Sequence, residues 1–171
     1  MQNNEPKVEQ NNGQNTVQNK HGAEQFKPNT TVAAVIVCDD KFLLVEEVEN
    51  GKTVYNQPAG HLEADENLIA ACQREVLEET GLALAPEYIS GIYYFHRPDL
   101  ALYYLRFCFV IKLTQCLTAM PQDSDISATH WFTLNEIKAR SSQLRSPMVL
   151  ECIEDYLNGQ RIELSAIKSN L

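Results

Sequence analysis

Between positions 60 and 82 the chain reads Gly60-His61-Leu62-Glu63-Ala64-Asp65-Glu66-Asn67-Leu68-Ile69-Ala70-Ala71-Cys72-Gln73-Arg74-Glu75-Val76-Leu77-Glu78-Glu79-Thr80-Gly81-Leu82. Glu75, Glu78 and Glu79 stand three and four residues apart, the offsets that make side chains neighbours on a helix. Carboxylates crowded into one turn repel one another and push at least one pKa upward. A divalent cation removes the conflict. Mg²⁺ takes a few carboxylates, several waters and the oxygens of a substrate phosphate, and Mn²⁺ accepts the same oxygen ligands. The bland alternative is a solvated acidic face, the common fate of exposed Glu. Arg74 can form an ordinary i,i+4 pair with Glu78, or it can hold one of these carboxylates in place for a metal.

A helix over residues 66–79 must carry these groups. That run has no Pro or Gly and is rich in good helix formers. Asp65 is the expected N-cap, Glu66 suits the positive first turn, and Gly81 can close the helix in a left-handed conformation. Ile69, Cys72 and Val76 form its apolar stripe, bordered by Leu77. Around it, residues 31–37 and 42–46 read as strands, with a turn at Asp39-Asp40 and a hairpin signal at Asn50-Gly51. Residues 54–57 lead into Pro58, which delivers the chain to the glycine turn. Further strands are expected over 88–95, 102–113 and 128–132, the last with Trp131 buried, and helices over 134–139 and 148–157. Strands, one helix, more strands and late helices make an α+β protein.

The segment from Gly60 fills every fixed position of the pattern Gly-x5-Glu-x7-Arg-Glu-U-x-Glu-Glu-x-Gly-U, U being aliphatic. At average residue usage this arises by chance less than roughly once in 10⁸ start positions. The pattern is the Nudix box, and the chain resembles the Nudix hydrolases. Flanking segments extend the likeness from about Phe26 to Gln160. They are Phe26-Lys27-Pro28, the run Tyr55-Asn56-Gln57-Pro58-Ala59 into the box, Asp123-Ser124-Asp125-Ile126 and Leu144-Arg145-Ser146-Pro147. These look like the NudJ-type phosphatases, one branch of the family.

The resemblance implies an α-β-α sandwich with a mixed sheet and one catalytic helix after a glycine turn. It implies Mg²⁺ or Mn²⁺ on Glu75, Glu78, Glu79 and the Gly60 carbonyl, with Arg74 in the catalytic group. It also implies hydrolysis of phosphoanhydrides in nucleoside tri- and diphosphates and thiamine-type pyrophosphates, including hydroxymethylpyrimidine pyrophosphate, with release of phosphate. Candidate substrate contacts are Asn56, His61, Glu63, Asp123, Asp125 and Arg145. His61 also reads as a hydrogen-bonded turn residue, and the two Asp as a polar turn. The general base is open among Glu75, Glu79, Asp123 and Asp125. Two alternatives stand beside this reading. One is a pyrophosphohydrolase of ADP-ribose, dinucleotides or RNA 5′ ends; the other is a non-catalytic nucleotide sensor, which would be expected to have lost box acids.

Composition sets the remaining bounds. A chain of 171 residues with 44% hydrophobic content supports one domain with a real core. A formal charge of −9 argues against general nucleic-acid binding and leaves any phosphate-facing charge local, with Arg97, Arg106, Lys112 and Arg145 as candidates. Five cysteines with no Cys-x-x-Cys point to reduced packing thiols in a cytoplasmic protein, and no signal peptide or membrane span is expected. Eleven of the first 25 residues are Asn or Gln, so residues 1–25 are expected to be a disordered leader before a domain over 26–165 and a short tail over 166–171. No assembly motif is visible; a monomer or a homodimer is expected.

Overall fold

The computed structural model describes residues 26–171; the Asn/Gln-rich leader lies outside the described residues. Eight strands and three α-helices follow in the order β1 (Asn29–Cys38), β2 (Lys41–Glu49), β3 (Lys52–Asn56), β4 (Ala59–His61), α1 (Leu68–Thr80), β5 (Tyr88–Arg97), β6 (Leu102–Leu113), β7 (Ile126–Thr133), α2 (Leu134–Ala139), α3 (Met148–Leu157) and β8 (Ile162–Glu163). The expected elements are present, with most strands longer than their apolar runs. Asn50-Gly51 is a two-residue hairpin loop with φ of 53° and 73°, the conformation that favours this dipeptide.

β1 organises the sheet. It runs parallel to β6 over its whole length, while every other pairing between these strands is antiparallel. On its other side it pairs with β2 only near Val37 and with β4 over Thr31, Val32 and Ala33. That division makes room for the short β4, which carries the glycine of the box. β1 reads as a continuous β-branched and apolar run because both its faces are covered. Val32, Ala34 and Ile36 pack with Cys72 and Val76 of α1. Ala33, Val35 and Val37 pack with Val149, Cys152 and Ile153 of α3. Helices thus lie on opposite faces of a mixed sheet, the α-β-α sandwich expected. Burying a side chain such as Ile36 or Val76, both 0% exposed, contributes about 1.5–3 kcal/mol.

Two local expectations are corrected. Asn67, not Asp65, caps α1, its side chain accepting from the backbone N–H groups of Ile69 and Ala70. Asp65 instead takes a left-handed turn at φ 63°, and Glu66 precedes the helix. Trp131 is only partly buried, its indole N–H donating to the Leu117 carbonyl. Gly81 closes α1 as expected, at φ 71° with its N–H on the Leu77 carbonyl.

The cysteine reading is also corrected. Cys38 and Cys116 form a disulfide, with Cα atoms 5.4 Å apart, while Cys72, Cys108 and Cys152 are free and buried. The pairing follows from topology. Cys38 ends β1 opposite Leu113 at the end of parallel β6, so a loop that turns back three residues later returns Cys116 to it. An odd cysteine count conceals such a pair, and it no longer argues for a reducing compartment. Among the described residues no helix is long and apolar enough to cross a membrane.

Candidate active site

The carboxylates meet at the junction of β4 and α1. Gly60 lies opposite Val32, on the sheet face that α1 covers. A Cβ at Gly60 would push the Glu75 carboxylate aside, so glycine is what lets that carboxylate lie against β4. One residue earlier, the Ala59 N–H donates to Glu79 Oε2 at 2.9 Å. The box glycine turn and the box helix are therefore joined through two of the three helix acids.

Arg74 gathers the rest. Its guanidinium reaches Glu66 Oε1 at 2.7 Å, Glu75 Oε1 at 2.6 Å, Glu78 Oε2 at 3.2 Å and the His61 carbonyl at 3.0 Å. Arg74 makes the expected i,i+4 pair with Glu78 and bonds Glu75 as well. Its principal partner, Glu66, was overlooked as an interaction, although Glu66 is itself a fixed position of the box. Glu66 also accepts from the Glu63 N–H at 2.7 Å, closing the turn before the helix. The Arg74 hydrogen bond holds the Glu66 carboxyl below its usual range.

Glu75 and Glu79 behave differently. Burial pushes both carboxyls up, Glu79 to about 8, with added repulsion from Glu75, Asp123 and Glu78 that the Ala59 N–H only partly offsets. Glu79 is 7% exposed, and among the described residues no cation pairs with it. A buried Glu79 without a cation, beside Glu75 and Glu78 that share the single charge of Arg74, leaves the cluster short of positive charge, and its hard oxygen donors fit a divalent cation of the Mg²⁺ type. The three carboxylates do not close on one common point: the one tight group of potential ligands among the described residues is Cys38, Asp39 and Cys116, whose thiols are bridged. Arg74 draws Glu75 and Glu78 aside, while Glu79 turns to Ala59.

The loop candidates separate. The Gln122 and Asp123 N–H groups donate to the Glu78 carbonyl at 2.8 and 2.9 Å, which sets Asp123 beside the helix end. Asp123 accepts from the Asp125 N–H at 2.9 Å, and Asp125 lines a different hollow with Glu47, Ser124 and Ser127. Glu63 is exposed, 4.0 Å from Arg74.

A cavity of about 160 Å³ opens across β4 from the helix. Asn56, Gly60, His61 and Arg145 of the expected substrate side line it, together with Arg97 and Arg106. Lys112 does not; it lies by Glu87 and over the Tyr88 ring. Thr31 and Phe95 also line the cavity and escaped the sequence reading, since neither belongs to a motif. No helix glutamate lines it; Ala59 and Gly60 are the residues shared between cavity and acid cluster.

Comparison with known proteins bears on family and fold. The NUDIX domain model matches residues 27–152. The chain is 47% identical over 142 residues to the protein named Phosphatase NudJ of Shigella boydii serotype 4 and of Escherichia coli strain K12, covering 83% of this chain and 92% of each relative. Among solved structures it resembles a NUDIX hydrolase from Nitrosomonas europaea at 46% identity, with a TM-score of 0.78 over 84% of this chain and 97% of that one. The NUDIX domain of Shewanella oneidensis NrtR complexed with ADP ribose shares the fold alone, at 18% identity, a TM-score of 0.70, and coverage of 84% and 95%. With the complete box folded onto one turn and one helix, and relatives this similar over most of its length, the chain belongs to the Nudix hydrolase family.

Proposed function

We propose that the chain is a divalent-cation-dependent phosphatase of small pyrophosphates: nucleoside tri- and diphosphates and thiamine-type pyrophosphates such as hydroxymethylpyrimidine pyrophosphate, from which it releases orthophosphate. The observation that carries the reading is the meeting at β4 of the acid cluster on one face and an arginine-bearing cavity on the other, through Ala59 and Gly60. The phosphatase name of relatives at 47% identity supports release of orthophosphate; the substrate classes rest on the resemblance of the segments that flank the box.

Glu75, Glu78, Glu79 and the Gly60 carbonyl would hold Mg²⁺ or Mn²⁺. When bound, the cation supplies neutralisation of phosphate charge and lowers the pKa of water. The chain's own residues do the rest. Arg74 orients Glu75 and Glu78, and Glu66 in turn orients Arg74. The Ala59 N–H fixes one oxygen of Glu79 and leaves Oε1 to take a proton from the attacking water. Asp123, set beside the helix end and repelling Glu79, is the loop candidate for the same role.

The test is product analysis on a panel of these compounds with Mg²⁺, using Glu78→Gln as control. Orthophosphate release that vanishes in the variant is expected. Full activity of Glu78→Gln would remove the metal-platform argument. Release of a nucleoside monophosphate would transfer the chain to the pyrophosphohydrolases of ADP-ribose, dinucleotides or RNA ends, and binding without turnover at saturating Mg²⁺ would make it a sensor.

A further inference from the structure

We propose that the cavity across β4 is an anion subsite in which Arg106 receives the phosphate that the substrate keeps on its leaving group. The proposal rests on the phosphatase reading above, in which one phosphate is transferred and at least one remains.

Arg106 is 8% exposed, and its Nε and Nη1 have no hydrogen-bond partner among the described residues. Its neighbours in the cavity are matched: Arg97 bonds Asp99 at 2.6 Å, and Arg145 pairs with Glu47. Among the described residues no carboxylate lies within ion-pair distance of Arg106. An isolated buried charge is costly unless it is paired. The Phe95 ring, whose centroid lies 5.7 Å from Cζ, offsets part of that cost through its negative face. A guanidinium kept in such a place can offer an oxyanion its Nη2, which is not sealed like the other two nitrogens and makes no hydrogen bond among the described residues, with Nε beside it on the same edge.

The register supplies the direction. Arg106 stands opposite Thr31, and Thr31 stands opposite His61, so the three side chains share one face of the sheet in a single row. Thr31 Oγ1 is likewise buried without a partner and offers a further donor. β6 and β4 flank β1, so this row is only about 10 Å from end to end. Its far end is the strand that carries Gly60, against which the Glu75 carboxylate rests on the opposite face. A phosphate held by Arg106 is therefore not the group placed among the helix acids but one adjacent to it. The cavity, about 160 Å³, exceeds the roughly 30 Å³ share of a single water several-fold. Asn56 Oδ1, an unmatched acceptor in the same lining, suits a hydroxyl or amino group beside that phosphate.

The experiment is a titration of the full chain with CMP and with cytidine in EDTA, by calorimetry or chemical-shift change, on the wild type, Arg106→Met and Arg106→Lys. CMP should bind the wild type more tightly than cytidine. Arg106→Met should weaken CMP at least ten-fold and leave cytidine unchanged, and Arg106→Lys, which keeps the charge but not the planar fork, should recover part of the loss. Equal CMP affinity in wild type and variants overturns the proposal, as does an equal fall for cytidine or the absence of any preference for CMP in the wild type. Should the Met variant fail to fold, a Lys variant with wild-type Tm decides alone: several-fold weaker CMP binding supports the subsite, and unchanged binding removes it. Because no metal and no turnover are involved, failure of the orthophosphate assay leaves this result standing, and the reverse also holds.

Discussion

The two sides of β4 hold opposite kinds of site. On the helix side, one contiguous segment supplies nearly everything: Gly60, Glu66, Arg74, Glu75, Glu78 and Glu79 lie within twenty residues, and the charges are mainly acidic. On the other side, Thr31, Asn56, Phe95, Arg97, Arg106 and Arg145 come from separate strands and a late loop, and the charges include three arginines. The acid side is over-supplied with like charge and calls for a cation. The basic side holds one arginine without a partner among the described residues and calls for an anion. A substrate that spans β4 satisfies both, so bond cleavage can reside in a local, motif-dense segment while recognition is spread along the chain.

That contrast predicts unequal effects of substitution. The largest comes from the acid side. Glu78→Gln removes one carboxylate with little change in volume, and its residue is only partly buried. Rate loss on the order of 10³-fold is expected, comparable with loss of a preorganised electrostatic group in other enzymes, and it should be the same for every substrate in the panel. A loss that varies with the leaving group would mean that the acid side also reads the substrate, and the division between the faces would fail.

A second effect separates the sides by pH. In the metal-free protein Glu79 is raised to about 8 from an ordinary value of 4.5, chiefly by burial. Its folded form therefore binds a proton that the unfolded chain has already released between those limits. Stability relative to the unfolded state is lost as pH rises through that window, at about 1.4 kcal/mol per pKa unit. Thermal melting in EDTA should show Tm falling from pH 5 to pH 8, and Glu79→Gln should flatten the decline. Mg²⁺ should restore Tm at pH 8, because it binds the ionised form. A flat wild-type profile would show that the cluster is not the electrostatic burden its burial implies.

The disulfide gives a third test. The bridge ties the end of β1 to the loop that runs on to Gln122 and Asp123, the residues bonded to the Glu78 carbonyl. Cys116→Ser should cost about 2–4 kcal/mol of stability in the oxidised protein, with no change in the CMP-to-cytidine preference, because that loop does not line the arginine cavity. Identical melting of wild type and variant under non-reducing conditions would argue that the thiols are not bridged in solution.

How much of this was legible in advance follows the same division. The helix, its glycine C-cap and the acid face could be read because each depends on contacts three or four residues apart. The N-cap went to the wrong residue because Asp65, Glu66 and Asn67 all suit a helix start, and the choice depends on Glu66 being held by Arg74 eight positions later. The Cys38–Cys116 pair and the Thr31–Arg106–His61 row depend on β1 running parallel to β6 while pairing with β4. Those long-range pairings leave no periodic mark in the sequence. Arg106 could be noted as a cation, but nothing local distinguished it from Lys112, which proved to lie elsewhere.

The smallest expected effect is the most discriminating about the loop acids. Asp123 and Asp125 looked equivalent as candidates, two carboxylates one residue apart before a strand. In the structure Asp123 contributes to the raised proton affinity of Glu79, whereas Asp125 turns into the hollow beside Glu47 and Ser127. Asp125→Asn keeps the N–H that bonds Asp123, so the loop should stay as it is. Its kcat and KM should stay within about two-fold of wild type, in line with the roughly ±0.5 kcal/mol typical of surface changes. Asp123→Asn, measured beside it, should lower kcat more than that and shift the acid limb of the pH–rate profile, since it removes a negative charge facing Glu79. Were Asp125→Asn the more damaging of the two, the hollow at Glu47 would belong to the reaction, and Arg145, which borders both spaces, would be the side chain that connects it to the cavity across β4.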